Sequence, residues 1–578
     1  MKSYRKTIKL FESNKIPLFV FISSMFIFLS FAGTRLFLSD EAVILNQFYN
    51  LIHGSLSIET GKIKVLEGVY LFLEGHIYGK FSYSLLILSL PFYYILGSIE
   101  FLYGAHLFLL QLWALCGGIV VYLIAKNSSL KHAELFGAIS YFIMIGANIL
   151  LFKPINFPMW GELLSIEFTN ILISSFLVLI VYLLFRNFFG DKIAMFASFF
   201  VIFATPISFY AVSLKHHVLT LLLTVLAFYF FYKYIEKKEN KFMYFAYMLA
   251  GLCVWTRVLD GVVLLSTLLI MDIIIFKRDI KYIIFISMII TGSLLPFFSL
   301  NYLILGNPVS IMENTDIATE SGTMQPGQNA IIYTDENYKS VALMRELGYG
   351  ENDEIKYYWQ DILLDITFSK LNNTSGIFII SPFLIIAIVF IIDRIKGKIK
   401  LNVMDKFFGL YILLFIFSYK NYILTIVTDT PKVLEYRYLL IVYIVLLYFV
   451  LRIDTVRTLL ESNLKALSKL YIIILIIILI LLIKEFPLPF MNIYYYTALA
   501  TSISLFILIS TNLLVKNKRV IDIIDKILIF TIALAIAEAS IFLLFYYWIV
   551  SMTFISPSQN FTILPVLQNI LDWMYMVV

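Results

Sequence analysis

"FSYSLLILSLPFYYILGS", residues 81–98, decides how the rest of this chain is laid out. It is 18 residues long, apolar, and carries Pro91 near its centre. It is the second of three apolar runs, after 17–37 and before 105–125, that separate the basic N-terminus (Lys2 to Lys15) from the basic cluster "KNSSLKH" at 126–132. Lysine and arginine clusters favour the cytoplasmic side of a membrane, so an even number of crossings has to separate these two. Three runs are one too many. Proline removes a helical hydrogen bond and bends the chain, so the middle run reads as a juxtamembrane or re-entrant segment on the external side.

Composition makes the membrane argument necessary. The 578 residues are 61% hydrophobic and only 14% charged, with a mean hydropathy of +0.90, beyond what a soluble globular surface tolerates. Apolar stretches of about 17–25 residues suit helices crossing a ~30 Å hydrocarbon core, and the short alternating segments of a β-barrel do not occur. Cys116 and Cys253 both fall inside apolar runs, which argues against a disulfide framework or a cysteine metal site. The first run is long and lacks a small-residue cleavage site, so it reads as a retained helix and not a removed signal. The expected fold is an all-α polytopic bundle of about 13–15 crossings.

With 81–98 kept external, the later basic clusters at 186, 236, 277, 393, 452–469 and 516 all fall inside. The expected spans are 17–37, 105–125, 133–152, 164–185, 193–212, 218–235, 242–256, 260–276, 282–303, 374–392, 406–420, 437–451, 470–483, 493–514 and 527–549. Residues 242–276 form a tight hairpin with "WTRVLDG" at its apex. Three regions follow: a transmembrane module over 1–303 with an external loop at 38–104, an external polar loop at 304–373, and further transmembrane helices over 374–578. Within the polar loop, the spacing of Ile355, Tyr358, Trp359, Ile362 and Leu363 predicts an amphipathic surface helix.

This layout gathers charge on the external face. It holds Asp40 and Glu41; Glu59, Glu67, Glu74, His76 and Lys80; "NFPMWGE" ending at Glu162; Lys215, His216 and His217; Arg257 and Asp260; and Arg437. Charged groups at membrane depth are costly and usually serve a site. Acids and cations converging on an apolar protein suit a substrate that is half lipid, such as a polyprenyl-phosphate sugar. A carboxylate takes the proton of an acceptor hydroxyl while cations stabilise the departing phosphate.

Here the residues meet a family. A first helix followed by "SDE", then "YGKFSYSLLILSLPFYYILG" at 78–97, resembles the opening of the GT-C membrane glycosyltransferases, in particular family 39, which includes protein mannosyltransferases and lipid A aminoarabinose transferases. "FATPISFYAVSLKHHVLTLLLTVLAFYFFYKY" from Phe203, "LAGLCVWTRVLDGVVLL" from Leu249, "NYLILGNPVS", "SGIFIISPFLI" and "EYRYLLIVYIV" resemble later segments, so the resemblance runs from about residue 17 to about 450. It implies a GT-C fold with external juxtamembrane helices and inverting transfer from a lipid-linked sugar on the external face to a protein, lipid or glycan hydroxyl. It places Asp40 and Glu41 as catalytic or metal-contacting acids and Lys80, with Arg257 and Arg437, at the donor phosphate. His76, His216, His217, Asp260 and Glu162 become substrate-contact candidates. Phe81 and Ser82 stand where the family's Lys-Pro-Pro-Leu step has prolines. Metal use varies across the family, so no cofactor is assigned and a divalent cation stays open. No nucleic-acid partner is implied.

Each position also has an ordinary reading. Ser39 or Asp40 caps a helix, and acids favour its first turn; Glu41 points about 100° away from Asp40 on that helix. Lys80 snorkels beside Tyr78 and Tyr83, His76 is an interfacial aromatic, and Arg257 with Asp260 is an i, i+3 pair. Two rival classes are a lipid-linked oligosaccharide flippase and a polysaccharide polymerase or ligase. The flippase reading lacks the internal repeats common in transporters.

Overall fold

The computed structural model of the chain describes residues 15–34, 36, 39–58, 60–63, 70–73, 75–309, 325–331, 367–368, 376–397, 399–428, 438–485, 488–553 and 562–569. For 39–40, 60–63, 70–72, 325–331, 420–428, 482–485, 488–492 and 545–553 it describes the backbone alone. The expected surface helix at 355–363, together with Glu59, Glu67, Glu74 and Arg437, lies outside the described residues.

The described chain is a helical bundle. α1 (Lys15–Ser30) leads to α2 (Ser39–Ile52), three short strands β1 (Thr60–Ile63), β2 (Tyr70–Leu73) and β3 (His76–Gly79), and then α3 (Ser84–Leu102). α4 (Ala105–Asn127) and α5 (Ala133–Ile149) form a hairpin, followed by the 33-residue α6 (Phe157–Phe189). α7 (Asp191–Phe203), α8 (His217–Lys237), α9 (Asn240–Thr256), α10 (Val258–Ile270, continued by a π turn to Ile275), α11 (Ile280–Ser293) and α12 (Leu295–Leu305) complete the first half. Eight described helices are long and apolar enough to cross a bilayer: α3, α4, α6, α8, α10 with its extension, α16 (Asp454–Glu485), α17 (Leu488–Leu514) and α18 (Lys518–Thr553). α11 and α12 pass together as a pair bent by 46°. α1, α5 and α15 (Leu440–Leu451), which follows α14 (Val403–Thr428), are shorter apolar helices.

By length and composition α3 qualifies as a span, and both of its flanks make defined contacts with the rest of the first half. The end of α1 is marked by Gly33, whose N–H donates to Glu167 Oε2 (2.9 Å). One turn further along α6, Asn170 Nδ2 donates to the carbonyls of Ser213 (2.7 Å) and Lys215 (2.8 Å). Glu41 on α2 accepts the neighbouring Leu214 N–H (2.9 Å). The start of α3 is tied to this level: Tyr83 OH donates to Leu56 O (2.7 Å), just past α2. Beyond the end of α3, His106 Nε2 is 2.9 Å from Ile563 O, while Ile563 N–H donates to Ala32 O (3.0 Å). The two flanks of α3 are thus tied to the end of α2 and to the segment that joins Ala32 with Ile563.

Its surface explains how it is accommodated. Leu85, Leu86, Ser89 and Leu96 are buried, while Ile87, Leu88, Tyr94, Ile95, Phe101 and Leu102 are exposed along the opposite stripe. Such an apolar outer stripe suits the boundary between headgroups and acyl chains. Pro91 lies on the exposed side, so its missing N–H is not buried in the core. An impermeant maleimide should therefore label His53→Cys and Tyr103→Cys from one side and Lys131→Cys from the other. All three positions are exposed, and the two native cysteines are buried and silent. Opposite-side labelling of positions 53 and 103 would reverse the topology.

The far face is held by a different polar set. Arg452 donates to both Asp405 oxygens (2.9 Å each), and Tyr448 OH adds a 2.7 Å bond. Arg278 stacks over Tyr234 and Tyr282. Near Asn187 O, which accepts from Tyr232 OH (3.3 Å), α6 and α8 end together.

The two halves interlock. After the polar loop the chain re-enters as a broken helix, one turn at Ile377–Ile380, a kink at Ser381, a 3-10 turn at Pro382–Ile386, then α13 (Ala387–Ile395). Tyr494 OH and Ser502 Oγ of α17 donate to the carbonyls of Ile379 (2.8 Å) and Phe378 (2.6 Å), and Ser381 Oγ donates to Ala204 O. The helices after residue 450 thus satisfy backbone groups that the break exposes. Two two-stranded pairings, β2 with β3 antiparallel and β1 with β4 (Gln325–Ile331) parallel, were not foreseen in the sequence.

Candidate active site

The first loop positions its groups through α2 and the β2–β3 hairpin. Gly75, at φ +86°, makes the turn in a left-handed conformation that favours glycine. β3 runs to Gly79, and Lys80 follows directly. Gln47 Nε2 donates to Phe81 O (3.0 Å) and Gly79 O (3.4 Å), clamping the backbone on both sides of Lys80. A Cβ at Gly79 would come within 2.3 Å of the Gln47 side chain, so α2 and the hairpin fit this closely only with glycine there. Burial pushes the Tyr83 hydroxyl up to about 12, keeping it a neutral donor to Leu56 O.

Asp40 lies in the first turn of α2; its side chain is outside the described residues. Glu41 is fully buried, and Oε1 accepts the Leu214 N–H. That carboxylate fastens the segment carrying Lys215, His216 and His217 to the first loop. All three are buried. Lys215 Nζ lies 4.3 Å from the centre of the Phe81 ring, next to Lys80 in the chain. His217 packs on Tyr210 (5.8 Å) and Tyr438 (5.5 Å), with His216 5.3 Å away. Lys215, given no role among the external charges in the sequence, is a buried cation at this site.

The hairpin apex completes the cluster. α9 and α10 approach so closely that a Cβ at Gly261 would sit 2.3 Å from Val254 N, which permits the sharp turn through Arg257. Arg257 Nη1 pairs with Asp260 Oδ2 (2.8 Å), and its Nη2 donates to Tyr419 OH (3.0 Å), which donates on to Asp260 Oδ2 (2.9 Å). The guanidinium lies 4.5 Å from the Tyr438 ring centre. The i, i+3 pairing is therefore present, and Arg257 also reaches an open cleft lined by Lys80, Ser82, Tyr83, Trp255, Phe297 and Leu300. Tyr419, Tyr438 and Trp255 had no signal in the sequence beyond being aromatic.

The remaining expected residues fall elsewhere. Glu162 is buried on α6, five residues before the Glu167 that holds Gly33. His76 is exposed at the start of β3, its ring 6.4 Å from Tyr78. Among the described residues, no group of three or more histidines, cysteines or acids is arranged to hold a metal ion.

Residues 149–299 match the family model for dolichyl-phosphate-mannose-protein mannosyltransferases. That segment contains Glu162, Lys215, His216, His217, Arg257 and Asp260. This segment of the chain is similar to that mannosyltransferase family. Asp40 and Lys80 precede the matched segment, and the contacts of Glu41 and Phe81 join the first loop to it. A solved structure with some similarity is ArnT from Cupriavidus metallidurans bound to undecaprenyl phosphate, at 11% identity and a TM-score of 0.41, over 94% of this chain and 77% of that chain. No curated protein matches the chain in sequence.

Proposed function

We propose that this protein is a membrane glycosyltransferase of the GT-C type that moves a sugar from a polyprenyl-phosphate donor to an acceptor hydroxyl on the external face of the membrane, with inversion at the anomeric carbon. The observation that carries the reading is the cleft at Lys80 and Arg257: two cations share an opening whose other wall, Phe297 and Leu300, is apolar. A lipid phosphate needs both surfaces at once. Arg186, Lys237, Arg278 and Arg452 sit at the ends of helices remote from this cleft, which supports a cytoplasmic far face and an external site.

In this mechanism Asp40 accepts the acceptor's hydroxyl proton as the oxygen attacks the anomeric carbon. The bond from that carbon to the phosphate oxygen breaks, and its electrons stay on the lipid phosphate, stabilised by Lys80 and Arg257. Glu41 holds the Lys215–His217 segment against the first loop, and Asp260 and Tyr419 orient Arg257. Arg437, one residue before Tyr438, is proposed as a further phosphate contact, and His76, His216, His217 and Glu162 as candidate contacts to sugar or acceptor.

The test is purified protein in nanodiscs, without a membrane gradient, given radiolabelled polyprenyl-phosphate hexoses and aminosugars. Release of polyprenyl phosphate with transfer or hydrolysis of the sugar is expected. Movement of intact donor across proteoliposome membranes without bond cleavage would replace the reading with the flippase one.

A further inference from the structure

One residue lining the cleft carries a donor that no described protein group satisfies. Trp255, the penultimate residue of α9, lines it, and its indole Nε1 is buried without an acceptor among the described residues. An indole nitrogen can only donate. A shielded N–H left unpaired costs about 1–3 kcal/mol, so such groups are rare unless a ligand completes them. The residue is held in place from the other side of the cleft: Ser82 Oγ donates to Trp255 O (2.7 Å), joining the segment after Lys80 directly to the apex before Arg257.

The neighbouring cation is partly neutralised. Arg257 already serves Asp260 and Tyr419, so the apex offers the departing lipid phosphate less than a full charge. Lys80 supplies a point charge, while the phosphate monoester released in the reaction presents three terminal oxygens that need separate donors. Beyond Trp255, Phe297 and Leu300 belong to α12, the outer limb of the 46° bend. Its Leu295, Tyr302 and Leu303 are exposed along the outside. The cleft thus passes from charged to apolar and opens toward the bilayer.

Resting on the donor reading above, we infer that Trp255 is a third ligand of the lipid phosphate, donating through Nε1. The gap between the start of α3 and α12 is the lateral entrance for the prenyl chain, whose first units run over Phe297 and Leu300.

Binding of polyprenyl monophosphate, uncharged polyprenol and inorganic phosphate to the full chain in nanodiscs tests this, with wild type, Trp255→Phe and Lys80→Ala compared. Trp255→Phe should weaken polyprenyl monophosphate binding about tenfold, the effect of one hydrogen bond to a charged acceptor. Polyprenol binding and melting temperature should be unchanged. On the unmodified protein, a diazirine on the first isoprene unit should cross-link to α12. If Lys80→Ala weakens lipid-phosphate binding while Trp255→Phe does not, the indole has no such role and the donor reading survives. If wild type does not prefer polyprenyl monophosphate to polyprenol, the donor reading falls and this inference falls with it. Full competition by inorganic phosphate, or cross-linking away from α12, overturns the entrance.

Discussion

Asparagine in place of Asp40 should leave the protein folded and lower sugar transfer by about 10²- to 10⁴-fold, the usual contribution of a positioned general base. Asparagine keeps the shape of aspartate in the first turn of α2 and loses only about 0.3–1 kcal/mol of helix-dipole interaction, so the start of α2 should persist. Its amide cannot take a proton at neutral pH. Glu41→Ala should behave differently although it is the adjacent residue. It removes the acceptor of the buried Leu214 N–H, a loss of about 1–3 kcal/mol in stability. The comparison reads kcat against melting temperature: position 40 should move the first and position 41 the second. Retention of more than a tenth of wild-type turnover by the Asp40→Asn protein would remove Asp40 from the reaction.

The second large effect separates structure from chemistry at the hairpin apex. The Arg257 and Asp260 side chains are only 9% and 6% exposed, so this is not a solvent-screened surface pair. Arg257→Met alone strands a buried carboxylate and should cost about 3–5 kcal/mol, whereas replacing both partners by apolar residues is often near neutral. Arg257→Met with Asp260→Leu should therefore recover most of the stability, less what Tyr419 loses when its hydroxyl has neither partner. Transfer should not recover, because the phosphate contact is still missing. Thermal unfolding and turnover on the two variants check this. A stable, active double variant would show that Arg257 serves only Asp260.

Particular residues show what the chain's sequence made legible. Charge parity argues that residues 81–98 do not cross, because lysine placement is a long-range constraint that a local helix prediction ignores, whereas length and apolarity alone qualify Ser84–Leu102 as a span. The apex pair was readable because i, i+3 spacing on a helix is a local rule. The start of α6 was not: a span was expected from 164, but the helix begins at Phe157, with Pro158 fitting its first turn and Glu162 and Glu167 continuing it. Acids within an otherwise apolar helix look like a loop boundary until their partners, such as Gly33, are known. The hairpin before Lys80 was missed for a related reason: its strands are four residues each, too short for an alternation to register. Tyr419 lies 162 residues from Arg257 and Lys215 lies 134 from Phe81. No periodicity in one sequence encodes such meetings.

The bond from Ile563 to Ala32 has a bearing on how the molecule is made. Gly33 pairs with Thr562 in an isolated bridge, His106 reaches Ile563 O, and Val566 N–H donates to Asn148 Oδ1 (3.1 Å). The turn after α1 and the α4–α5 hairpin therefore wait on a stretch synthesised more than 400 residues later. During translation the emerging N-terminal helices have no such fastening, and a ribosome stalled before codon 562 would carry a nascent chain whose first exit loop is still unsecured. Maturation then includes a late closing step, and a chain truncated before residue 562 would register its defect around Ala32, His106 and Asn148.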